Sequence, residues 1–277
     1  MIDSYVSQHR QRFLDELFTL LRLPSISADP AYKDSVLATA DAVAGFLTKA
    51  GAQNVEVCAT PGYPVVYGEY LVDPSRPTVL VYGHYDVQPA EPLELWTSPA
   101  FEPTVRDGRI YARGSVDDKG QLYLHIKALE AHLAVRGTLP VNVIVLAEGE
   151  EEVGSENLEQ FLEREKVRLA CDAVVISDST MFAPGIPSIL SSLRGMVYLE
   201  ITVRGANGDL HSGMYGGAVV NPAMALARIL ASMHDANGRI AIPGFYDDVR
   251  PFPDAVLAQM RDLPFSDEQL MHEVGVA

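Results

Sequence analysis

The sequence predicts an α/β fold, a mostly parallel mixed sheet with helices on both faces, followed by the start of a smaller α+β domain. Three observations carry that expectation. The stretches VLVYG, VNVIVLAE and DAVVIS are short, β-branched and nearly continuously apolar, the pattern of strands buried on both faces. Segments with helical spacing separate them. Near Leu190 to Gly195 the pattern changes, and SLRGMVYLEITVRG alternates apolar and polar residues as a half-exposed antiparallel strand would. The expected boundaries are therefore residues 1–190 and 191–277.

The elements follow in order. SQHRQRFLDELFTLLRL places Phe13, Leu14, Leu17, Leu20 and Leu21 at helical spacing and must stop before Pro24. SVLATADAVAGFLTKAG is a second helix, with Gly51 just past its end, where a left-handed residue is favoured. VEVC and PVVYGEYL read as strands, PTVLVYGHYDV as a strongly apolar one, and DGRIYARG as a hairpin-like segment. GQLYLHIKALEAHLAV is a long helix, and SENLEQFLERE a capped one between two strands. In the second part, NPAMALARILASMHD predicts a helix and GRIAIPG a short strand. The ending, SDEQLMHEVGVA, supplies neither a helix stop nor a core strand, so the second domain is expected to be incomplete.

Composition narrows the function. With 277 residues, 48% hydrophobic and 21% charged, the chain can build a sizeable core. A formal net charge of −16 argues against a nucleic-acid or anionic-membrane partner, either of which calls for a basic face. Cys58 and Cys171 lie far apart beside apolar residues and are expected to be buried free thiols in a reducing compartment. Neither an apolar leader nor a membrane-length apolar run occurs, which predicts a soluble cytoplasmic protein.

Chemistry concentrates at strand ends. In open α/β sheets, ligands bind beyond the carboxyl ends of the strands. His84 and Asp86 follow VLVYG, and residues i and i+2 of an extended chain project to the same side, as an oriented metal ligand requires. Asp117 and Asp118 lie in GSVDDKG, Glu150 to Glu152 follow VIVLAEG, and Asp178 follows VVIS. Each has an ordinary reading as well. DDKG before a helix suits an N-terminal cap, EGEEE a solvated loop, and Asp178 a turn. Together, however, three apolar strands each ending in a carboxylate or imidazole form the donor set of a divalent-metal site.

GHYD at 83–86, ARGSVDDKG at 112–120, EGEEEVGSE at 148–156, SDS at 177–179 and GDLHSGMYGG at 208–217 carry a family resemblance. In this order they resemble the di-zinc peptidases that include carnosinase, cytosolic nonspecific dipeptidase, aminoacylase, glutamate carboxypeptidase and succinyl-diaminopimelate desuccinylase. The DLHSG and GSVDDKG forms are most similar to the dipeptidase branch. The resemblance implies a zinc-peptidase-like catalytic domain over 1–190 and a partial lid and dimerisation domain over 191–277. It assigns His84 and Asp178 to one metal, Glu152 to the other and Asp117 to the bridge between them. Asp86 would fix the tautomer of His84, and Glu151 would be the catalytic base. Choosing Glu151 and Glu152 over Glu150 rests on aligning EEVGS with the family's paired glutamates. The peptide bond from Asp117 to Asp118 is expected to be cis. His211 would bind substrate and steady the oxyanion, acting across a homodimer.

The implied function is hydrolysis of dipeptides or short peptides with two divalent ions, zinc first and manganese as the other candidate. N-acyl amino-acid deacylation and a non-catalytic metal-binding relative are the competing expectations. In the family a final histidine, supplied after the lid, completes the second metal site. His9, His125, His132, His234 and His272 do not match it.

Overall fold

The computed structural model describes residues 1–183, 185–190 and 192–276. The chain divides into two compact units, Met1–Ile189 and Leu190–Ala277.

The first unit is built on a five-stranded sheet. Its strands are β1 (Gln53–Cys58), β2 (Val65–Tyr70), β3 (Thr78–His84), β6 (Asn142–Glu148) and β7 (Ala173–Ile176), in the spatial order β1-β2-β6-β3-β7. The sheet is mixed: β3 runs parallel to both β6 and β7, while β2 runs antiparallel to β1 and β6. Two short strands, β4 (Thr104–Arg106) and β5 (Arg109–Tyr111), form a separate hairpin.

Alternation along the strands sorts side chains to two layers. Val66, Val81, Val143, Val145 and Ala147 face one layer with Leu20, Val43, Leu47, Leu122 and Ile126. Those partners come from helices α2 (Arg10–Leu21), α3 (Lys33–Lys49) and α4 (Lys119–Arg136). Val65, Tyr67, Leu80, Ile144 and Leu146 face the other layer, where α5 (Leu158–Arg164) inserts Phe161, which is 2% exposed. Burying one such side chain contributes about 1.5–3 kcal/mol. The sheet therefore has helices on both faces.

Some local details depart from the sequence expectations and others follow them. The first helix is interrupted, so that α1 (Ile2–Gln8) and α2 flank His9, whose φ of −102° and ψ of 8° leave the helical range. Gly51 and Gly137 end α3 and α4 with φ of 87° and 72°, which only glycine adopts without strain. Cys171 is exposed and Cys58 half-buried, contrary to the expectation of two buried thiols; neither is in a disulfide.

The second unit contains α6 (Ser212–Tyr215), α7 (Pro222–Ser232), α8 (Asp254–Arg261) and α9 (Asp267–Val274). Asn221 caps α7 by accepting from the Ala223 amide at 2.8 Å, with Pro222 at the first helical position. The strand expected in SLRGMVYLEITVRG is absent among the described residues of that stretch, which also leave Met196, Val197, Tyr198 and Leu199 exposed. Alternation provides a face for a sheet, but a strand also needs a neighbour to pair with. The expected strand in GRIAIPG is likewise reduced to a single bridge between His234 and Ile240.

Candidate metal centre

Register decides what gathers. On the parallel strands, His84 is level with Glu148, and Tyr82 with Ile176. The three chain exits therefore open side by side at the carboxyl end of the sheet, the usual ligand-binding edge of such folds. Asp117 and Asp118 arrive from the start of α4, which packs against β3.

The His84 ring, completely buried, is the focus. Its Nε2 lies 3.1 Å from Asp117 Oδ1, 3.8 Å from Asp178 Oδ2 and 3.9 Å from Glu151 Oε2. Its Nδ1 faces the Asp86 backbone carbonyl at 3.1 Å and Asp86 Oδ1 at 3.3 Å. Two triads have donor atoms within 4.8 Å of one another: His84, Asp117 and Glu152, and His84, Glu151 and Asp178. Both use His84.

Asp86, also completely buried, ties this histidine to the glutamates. Its Oδ1 accepts the Glu151 amide at 3.2 Å, and its Oδ2 accepts the Glu152 amide at 3.1 Å and the Ser27 hydroxyl at 2.6 Å. One carboxylate thus holds the imidazole and the first residues of the 3₁₀ turn Glu151–Val153. Glu150 turns to a different partner, accepting from Asn157 Nδ2 at 3.1 and 2.9 Å.

Asp118 occupies the N-cap position of α4, yet its side chain caps nothing. Its Oδ2 accepts the His84 amide at 3.1 Å instead, while its buried Oδ1 has no hydrogen-bond partner among the described residues. That approach needs glycine beforehand, because a Cβ on Gly83 would come within 2.7 Å of Asp118 Oδ2. The Asp117–Asp118 peptide bond is cis. Ser155, expected to cap α5, donates to buried Glu148 at 2.8 Å, and Tyr82 also donates to that carboxylate.

Sequence reasoning missed three more groups around the cluster. Gln88 holds Glu152 by its backbone amide on Oε1 at 3.2 Å and by its side-chain amide on Oε2 at 2.8 Å. His125 Nε2 lies 2.6 Å from the hydroxyl of Ser177, the neighbour of Asp178. Ser27 is the third. Ser27 and Gln88 lie outside the regular elements, where no sequence period announces them.

Charge explains what the cluster can hold. Burial raises the carboxyls of Glu151 and Glu152, and neighbouring carboxylates add to the rise. Burial also pushes Asp118 up to about 7. For His84, burial opposes protonation, but Asp86, Asp118 and Glu151 outweigh it and carry the imidazole to about 10. Among the described residues no lysine or arginine pairs with Asp117, Glu151, Glu152 or Asp178; the His84 ring faces three of them. Imidazole nitrogen with several carboxylate oxygens is the donor chemistry of zinc or manganese. The residues fit such an ion.

His211 belongs to the second unit. It is exposed, stands at the N-cap of α6 and accepts the Gly213 amide on Nδ1 at 3.1 Å.

The chain is 36% identical over 282 residues to the Cys-Gly metallodipeptidase of Schizosaccharomyces pombe, a match covering 98% of this chain and 59% of that protein. It is 33% identical to the human Beta-Ala-His dipeptidase, over 90% of this chain and 52% of the relative. The M20 family metallo-carboxypeptidase Sso-CP2 from Sulfolobus solfataricus superposes with a TM-score of 0.75 at 34% identity, covering 95% of this chain and 59% of that one. The chain thus spans somewhat more than half the length of these relatives. The model of peptidase family M20/M25/M40 matches residues 80–249, a span that starts inside β3 and includes every strand-end group of the cluster. This chain belongs to peptidase family M20/M25/M40.

Proposed function

We propose that this chain carries the metal-binding and proton-transfer half of a dipeptidase that hydrolyses the peptide bond of dipeptides or short peptides. The observation that carries the reading is the convergence of one buried imidazole with Asp117, Glu151, Glu152 and Asp178 at the carboxyl edge of the sheet. His84 and Asp178 would hold one divalent ion, Glu152 the other, and Asp117 would bridge them, with zinc the first choice and manganese the second. The ions would supply Lewis-acid polarisation of the scissile carbonyl and acidify an attacking water.

The chain's own residues do the rest. Asp86 engages His84 Nδ1, leaving Nε2 to face the ligand cluster. Glu151 takes the proton of the attacking water and passes it to the leaving amine nitrogen. Its carboxyl, raised by burial, is better matched to that exchange near neutral pH than an exposed one. Residues 191–277 form part of a lid and dimerisation domain, in which His211 donates to the carbonyl oxygen as it gains charge. The two unpaired cysteines fit a reducing compartment, the cytoplasm, and no described helix is long and apolar enough to cross a membrane.

Cysteinylglycine and β-alanylhistidine, named for the relatives, are the first substrates to test. The chain is incubated with each in added zinc or manganese, beside longer peptides and N-acyl amino acids. Metal-dependent release of free amino acids from the dipeptides supports the reading. Turnover confined to acyl amino acids makes the chain a deacylase, and zinc binding without turnover of any substrate means that this chain by itself binds metal without catalysing.

A further inference from the structure

Both candidate triads share His84, so whatever fixes His84 governs the whole centre. The fixing group is Asp86, and one of its donors comes from far away in sequence. Ser27 is 8% exposed and lies 59 positions before Asp86, with its hydroxyl 2.6 Å from Oδ2. It belongs to a strap, Leu23 to Ser27, that runs beside the exit of β3. Ile26 and Val87 form a parallel bridge, the Val87 amide donates to the Ser25 carbonyl at 2.9 Å, and the Ser25 hydroxyl donates to the Tyr85 carbonyl at 2.6 Å. The strap is anchored by completely buried Lys119, whose ammonium donates to the Leu23 carbonyl at 2.6 Å.

We infer that Ser27 is a positioning residue of the metal centre, acting through Asp86 on His84 and on the Glu151–Glu152 turn; the inference rests on the metal reading above. The chemistry is specific to a hydroxyl donor. Asp86 is a buried acceptor whose Oδ1 and Oδ2 each carry one amide from the glutamate turn. The Ser27 hydroxyl adds the donor that fixes the carboxylate plane from the opposite chain segment. Without it the carboxylate keeps its contacts to the turn but is freer to rotate away from the His84 ring. Outer partners of this kind alter metal affinity by about 10–100-fold in known sites. Ser25 supplies the comparison, because its hydroxyl holds the same strap to the Tyr85 backbone carbonyl and not to the Asp86 carboxylate.

The test measures zinc affinity of the 277-residue chain by competition with a chromogenic chelator, for wild type, Ser27→Ala, Ser27→Thr and Ser25→Ala. The thermal midpoint of each zinc-free protein is recorded alongside. The expected result is zinc binding about tenfold weaker in Ser27→Ala, recovery in Ser27→Thr, which restores the hydroxyl, and wild-type affinity in Ser25→Ala even where its midpoint falls. Ser27→Ala affinity equal to wild type overturns the inference and leaves the metal reading standing. Equal weakening in Ser25→Ala and Ser27→Ala also overturns it, since loosening of the strap then explains both. A wild-type chain that binds neither zinc nor manganese overturns the metal reading and this inference together.

Discussion

Glu150 and Glu151 are adjacent in sequence, but their carboxylates serve different partners: Glu150 is bound on both oxygens by Asn157, whereas Glu151 Oε2 lies 3.9 Å from His84 Nε2. The division follows from Asp86. By accepting the amides of both Glu151 and Glu152, it pins the start of the turn to the His84 side.

The two neighbours should therefore respond differently to the same change. Glu151→Gln keeps the side-chain volume and removes the proposed base, so dipeptide hydrolysis is expected to fall by about 10²–10⁴-fold with zinc retained. Glu150→Gln keeps an oxygen for Asn157 and is expected to leave hydrolysis within about twofold of wild type. Steady-state kinetics with elemental analysis of each protein separates them. Full activity in Glu151→Gln would remove it as the base.

Asp117 should behave as a ligand and not as a helix-start residue. It sits just before the N-cap of α4, half exposed, with Oδ1 facing His84 Nε2 at 3.1 Å. Asp117→Ala is expected to lose both ions, because in the proposed site its carboxylate would bridge them. Elemental analysis after dialysis against trace zinc tests this, and a wild-type zinc content in the variant would exclude Asp117 from the ligand set.

The legible part of this molecule is what local pattern can specify. β-Branched apolar runs placed β3, β6 and β7, and parallel pairing then brought their terminal His84, Glu151, Glu152 and Asp178 to one edge. Side-chain choices that depend on contacts distant in sequence were not legible. Asp118 and Ser155 have good capping chemistry, yet both are drawn away, one to the His84 amide and the other to Glu148. In each case a buried group at the site competes for the same polar atom, and leaving that interior group unmet costs about 1–3 kcal/mol. Ser27 and Gln88 fall in the same class, since nothing within ten residues of either indicates its partner. The stretch near 192–203 fails for the opposite reason. Its alternation is clear, but no pairing strand is supplied by the described chain.

For His211 the expected signature is kinetic. Placed on the second unit and half-engaged with the Gly213 amide, it supplies no atom to either triad. His211→Ala is expected to lower kcat by about 10²–10³-fold, the usual loss for one oxyanion donor, with zinc content unchanged. Unchanged kcat would take His211 out of the mechanism, and lost zinc would make it a ligand.

Acid stability should be set away from the metal centre, where α2 meets α4. Lys127 Nζ lies 2.6 Å from Glu16 and 2.8 Å from Glu130, and Arg12 also pairs with both carboxylates. Burial opposes ionisation of both glutamates, but hydrogen bonds and charge from Lys127 and Arg12, with Tyr123 on Glu16, hold both pKa values below 4.5. A carboxyl whose pKa is lower folded than unfolded stabilises the fold above the unfolded value, and that stability is lost as pH falls through the folded value. Unfolding free energy should therefore decline as pH falls below 4.5. Lys127→Met removes the shared cation and leaves buried Glu130 and partly buried Glu16 with Arg12 as the remaining cation, at a cost of about 3 kcal/mol near neutral pH. The variant's deficit should shrink in acid, where protonation spares the unpaired carboxylates. Urea titrations of zinc-free wild type and Lys127→Met at pH 7 and in acid measure both effects; a deficit that stays constant with pH would mean that packing of the lysine stem, and not its charge, holds α2 to α4.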